Sequence, residues 1–102
     1  MTALRDYVRY TACKALGNMG EKAATKEVIG ALLIALGDAK DSVRLRACAA
    51  LGQMGEKAAT KEVIGALVIG LKDAKHSVSK SAHEALVNMG EKAATKEVIG
   101  AL

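Results

Sequence analysis

The sequence contains no proline, no tryptophan and no phenylalanine, and its only aromatic residues are Tyr7 and Tyr10. A core without large rings has to be filled by Val, Ile, Leu, Met and Ala, and at 51% hydrophobic residues the supply is ample. The absence of proline removes the commonest interruption of a helix. A composition rich in Ala, Leu, Lys and Glu then favours helix throughout. No apolar run approaches the roughly 20 residues of a membrane-spanning helix, so no membrane partner is expected. Arg5, Asp6 and Arg9 stand near the N-terminus with no apolar stretch behind them, unlike a secretory signal. Cysteine is scarce as well. Cys13 and Cys48 read as free thiols of a reducing compartment, and a cytoplasmic location is expected.

The motifs of chemistry are also missing. There is no HExxH, no CxxC and no glycine-rich phosphate loop following a strand. The one suggestive constellation is a column, since Cys13, Cys48 and His83 follow one another at intervals of 35 residues. Tetrahedral zinc holds its ligands about 2.0–2.3 Å from one centre. Equivalent positions on successive helices are separated by about 8–10 Å per step. A disulfide between the two cysteines fails for the same reason, because it needs Cα atoms within about 7 Å. Glu84 has no acidic partner, and Asp41 is explained by a helix start. No catalytic residue, no metal site and no cofactor is expected, and the chain reads as non-enzymatic.

What the sequence does have is repetition. The thirteen residues GEKAATKEVIGAL begin at Gly20, at Gly55 and again at Gly90, without one substitution. The period is 35 residues, and residues 33–67 match residues 68–102 at 24 of 35 positions. Such a period marks a stacked-repeat architecture, in which each unit buries its apolar face against its neighbours.

Each unit reads as two helices. The first follows Thr25 or Thr60 as N-cap, with Glu27 or Glu62 in the first turn. It ends near Gly37 or Lys72. The turn DAKD spans 38–41, and Asp41 is expected to cap the second helix. There Val43, Ala47, Ala50, Leu51 and Met54 fall on one face, and Gly55 terminates the helix. The expected layout within one domain, 1–102, is a second helix at 6–19, helix pairs at 26–54 and 61–89, and the start of a first helix at 96–102. Val98, Ile99 and Leu102 would lack a covering helix, so the chain reads as part of a longer array.

The stretch EVIGALLIALGDAKDSVRLRACAALGQMG resembles a HEAT repeat, of the short kind found in arrays related to phycobilisome lyases. The likeness lies in the apolar spacing of the first helix, Asp38 in the turn, Val43-Arg44, Ala47 and Ala50-Leu51-Gly52. It extends over essentially the whole chain. It implies an all-α solenoid, an α-α superhelix of antiparallel helix pairs, with first helices convex and second helices concave. In the family the turn Asp and the Val-Arg arginine tie neighbouring units together. Asp38, Asp73, Arg9 and Arg44 match, whereas Ser79 and His76 depart from the pattern. Loosened stacking is therefore expected in the last unit. HEAT arrays serve many purposes, and the function most often implied is a protein-binding scaffold.

The copies differ mainly in the second helix, on the side away from its apolar face. Three rows repeat there: Tyr10, Leu45 and Lys80; Lys14, Ala49 and Glu84; and Thr11, Arg46 and Ser81. A constant scaffold with one variable face is the pattern of a modular binding surface. The expected partner-binding residues are Tyr7, Tyr10, Lys14, Ser42, Leu45, Arg46, Ala49, Lys80, Ser81 and Glu84. The partner would be another protein or a peptide. Each copy of the phrase carries two Lys and two Glu, so the whole net charge of +4 lies outside the phrases. A basic second-helix face, with Arg9, Lys14, Arg44, Arg46 and Lys80, makes nucleic acid the alternative ligand. A structural or designed array without any ligand is the remaining reading. Finally, the first helices VIGALLIALG and VIGALVIGL carry no charge. Gly30, Ile34, Gly65 and Ile69 form an apolar convex strip, expected to support a homodimer.

Overall fold

The structure is a computed structural model and describes residues 2–90. The expected helix at 96–102, with Val98, Ile99 and Leu102, lies outside the described residues. The order is α1 (Thr2–Asn18), a 3-10 turn (Gly20–Ala23), α2 (Lys26–Ala35), α3 (Asp41–Met54), a second 3-10 turn (Gly55–Ala58), α4 (Lys61–Gly70) and α5 (His76–Asn88). Among the described residues the fold is all-α, a repeating series of helix pairs. α1 starts four residues earlier than the spacing suggests, because nothing in TALR opposes helix.

The helix starts follow from the sequence. Thr25 and Thr60 are extended N-caps whose hydroxyl oxygens accept the amides of Val28 and Val63, each at 3.2 Å. The helix ends explain why the phrase opens on glycine. Gly20, Gly55 and Gly90 have φ of +61°, +62° and +64°, a region that side-chain-bearing residues enter at a cost.

One cap differs from expectation. The residue before α3 is Lys40, which makes no side-chain cap, and Asp41 is the first helical residue. Asp38 and Asp73 order the turn that leads into each helix. The Asp38 carboxylate accepts the Lys40 amide at 2.9 Å, and Asp73 accepts that of Lys75 at 2.9 Å. A short Asp side chain reaches the amide two residues on more easily than a distant one. His76 therefore replaces a first-turn acid, not a cap.

α3 is the centre of the molecule. It packs against α1 and against α5, while α2 lies on α3 and α4 on α5. Its apolar face is buried as the spacing requires: Val43, Ala47, Ala50, Leu51 and Met54 are all inaccessible. The same positions 35 residues on, Val78, Ala82, Ala85, Leu86 and Met89, are buried too. α4 contributes Val63, Ile64 and Leu67.

A second buried flank of α3 is absent from the single-face reading. Gly52 is buried against α5, and a Cβ there would lie 2.8 Å from Ala85 Cα. Gly17 meets α3 in the same way, 3.0 Å from Ala50 Cα. These glycines let successive second helices approach backbone to backbone. A helix between two neighbours has two buried flanks, and a single apolar face read from the spacing accounts for only one of them.

Candidate binding face

Neighbouring units are tied by a repeated ionic clasp. Arg9 Nε lies 2.6 Å from Asp38 Oδ2, and Arg9 also pairs with Asp6. In the next unit Arg44 Nε lies 2.8 Å from Asp73 Oδ2 and its Nη1 donates to the Asp38 carbonyl at 2.8 Å. The hydrogen bond from Arg44 holds the Asp73 carboxyl below its ordinary pKa, against the opposing effect of burial. For Asp38, burial pushes upward but is outweighed by the Lys40 amide and Arg9, and the net shift is down. Ser79, at the third position of this column, instead donates to the His76 carbonyl of its own helix at 3.0 Å.

The clasp bears directly on the choice of ligand. Arg9 and Arg44, counted among the bases that nucleic acid would use, are already committed to carboxylates. Lys14, Arg46 and Lys80 remain of that set. Arg46 in turn lies over the Tyr10 ring, 5.2 Å from its centroid, a cation–π contact joining α3 to α1.

The other residues expected on this face divide into two groups. Tyr7, Lys14, Ser42, Lys80 and Glu84 are exposed, and Tyr10, Arg46 and Ala49 are half-buried. Leu45 is half-buried against the core and offers only part of its surface. Ser81 does not belong to the face. It is buried, and its hydroxyl donates to the Leu45 carbonyl at 3.0 Å, a bond from α5 to α3. A small hydroxyl fits between the two helices, while Arg46, its counterpart one unit earlier, lies over the Tyr10 ring. The signal that identifies Ser81 is its interval from Arg46, a loss of bulk and charge beside the Gly52–Ala85 approach.

On the opposite side the uncharged helices present isolated side chains to solvent. Ile34 is 80% and Ile69 74% exposed. A Cβ added at Gly30 or Gly65 would meet nothing within 4 Å. The two cysteines are buried, and His83 of the same column is exposed. Burial pushes the Cys48 thiol up to about 12, which keeps it neutral and a poor metal ligand or nucleophile. Beside each clasp lies a small cleft floored by a cysteine, of about 200 Å³ at Cys13 and 270 Å³ at Cys48. Both fall below the roughly 300–1,000 Å³ of small-molecule sites. Among the described residues no three His, Cys, Asp or Glu converge as metal ligands, and no helix is long and apolar enough to cross a membrane.

A family model described as HEAT repeats matches residues 2–86 and, in a second alignment, residues 29–102. No curated protein and no solved structure matches the chain.

Proposed function

Because the chain belongs to the HEAT-repeat family, we propose that it is a non-enzymatic scaffold that binds a protein or peptide along the concave face of its second helices. HEAT repeats commonly serve protein interaction. The observation that carries this reading is the division of labour within α1, α3 and α5. In α3 and α5 the positions that repeat unchanged, the exposed Ser42 and Ser77 aside, are buried or end the helix. Most of those that vary between units, Tyr10, Lys14, Ala49, Lys80 and Glu84 among them, remain at least partly accessible. Tyr7, 65% exposed, and Tyr10, held by Arg46, are the aromatic anchors. Lys14, Lys80 and Glu84, all exposed, supply a charged rim that sets orientation.

The exposed strip of Ile34 and Ile69 with Gly30 and Gly65 is a second contact surface, on the convex side. A nucleic-acid ligand is less favoured, since the clasps remove Arg9 and Arg44 from the free basic surface.

Affinity capture tests the reading, with the wild type and a Tyr7→Ala/Tyr10→Ala/Lys14→Glu/Arg46→Glu variant as baits. A protein retained by the first and lost by the second is the expected result. Capture that is equal for both would place the contacts elsewhere. Binding to an oligonucleotide that weakens steeply with salt would favour the phosphate reading.

A further inference from the structure

Val8 is 56% exposed, while its counterparts Val43 and Val78 are 0% and 1% exposed. Ala12, Ala15 and Met19 are exposed as well, against buried counterparts at Ala47, Ala50 and Met54. The difference is the first helix of the unit. α2 covers α3, and α4 covers α5 so closely that a Cβ at Gly70 would lie 3.1 Å from the Ala82 Cβ. Among the described residues no first helix lies in that position over α1.

The chain nonetheless contains a sequence fitted to that face. α4 covers α5 with three buried side chains, Val63, Ile64 and Leu67. Residues 90–102 repeat residues 55–67 letter for letter, so Val98, Ile99 and Leu102 reproduce that set. We propose that residues 91–102 of one copy dock on the Val8, Ala12 and Ala15 face of α1 in a second copy, completing a helix pair between two chains. The same chain does not serve itself. α1 and α5 flank α3, so the segment would have to cross two helix spacings, about 16–20 Å. Residues 91–95 reach about 17 Å only when fully extended, and both described copies of this linker are wound into 3-10 turns.

Charge fits the junction. Ser79 stands where Arg9 and Arg44 stand in the clasps, and Ala3 stands where Asp38 and Asp73 stand. Both halves of the clasp are missing, so docking strands no unpaired ion. Packing makes the junction weaker than the internal ones. Val87 replaces Gly17 and Gly52, so α5 cannot approach the α1 of the second copy as closely as α3 approaches α5. The contact joins different surfaces on the two copies, so it propagates head to tail.

Sedimentation equilibrium on the 102-residue chain tests this, with circular dichroism to verify helicity. The wild-type mass is expected to rise above 10.6 kDa with concentration. Val8→Asp and Ile99→Asp are each expected to remain at 10.6 kDa alone. Mixed, they should form a dimer and nothing larger, because each retains the surface the other lacks. Complementation in the mixture also shows that both variants are folded. Ile34→Lys/Ile69→Lys should associate like the wild type, which separates this contact from the convex strip. Val87→Gly should lower the dissociation constant. A wild type that stays at 10.6 kDa at every concentration overturns the proposal, as does a mixture that fails to pair.

Discussion

A missing methyl group decides how closely the second helices lie. Gly52 faces the α5 backbone at a distance no side chain fits, while Gly65, on α4, faces open space. Gly52→Ala is therefore expected to destabilise by about 1–3 kcal/mol through overpacking. Gly65→Ala is expected to stabilise by up to about 1 kcal/mol through helix propensity. Urea unfolding of the two variants gives opposite signs if the packing is as described. The cysteines give a second residue-scale test. Cys13 and Cys48 are buried, and burial raises both thiols. Alkylation in native buffer is expected to be far slower than in denaturant, and equal rates would mean that the clefts open freely. The sequence showed these positions unevenly. Val43, Ala47 and Met54 were legible because one face of a helix follows a simple period. Gly52 and Ser81 were not, because their burial depends on where a neighbouring helix lies.

Elements are joined by caps and clasps, and these were read with mixed success. Thr25 and Thr60 act as their positions suggest. Asp41 does not, because it is already the first residue of the helix, one place past the cap position that Lys40 occupies. The Arg44–Asp73 pair ties α3 to the turn between α4 and α5, with the Arg44 side chain 19% exposed. Arg44→Ala is expected to lower stability by about 2 kcal/mol, since it removes hydrogen bonds made by a charged group. The pH dependence has a definite sign. The Asp73 pKa is lower folded than unfolded, so its contribution is present above the ordinary carboxylate range and is lost as pH falls through the lowered value. Arg44→Ala should therefore flatten the acid limb of the stability curve. An unchanged acid limb would mean that the clasp contributes nothing.

At the scale of the whole molecule the 35-residue period made the helix pairs legible before any coordinates, because each unit needs its neighbour to bury its apolar face. The binding face was legible in outline only. Variation between units picks out positions free to differ, and some of these, such as Gly52 and Ser81, differ because they adjust the fit between helices. The central claim is that the remaining accessible positions on α1, α3 and α5 bind a partner while the repeated positions hold the scaffold. Titration calorimetry of a captured protein against the wild type and the Tyr7→Ala/Tyr10→Ala/Lys14→Glu/Arg46→Glu variant tests it most directly, with helicity measured in parallel. With anchors worth about 2 kcal/mol or more each, affinity is expected to fall by roughly 100-fold or more while helicity is unchanged. An affinity that is the same for both, at equal helicity, would contradict the account.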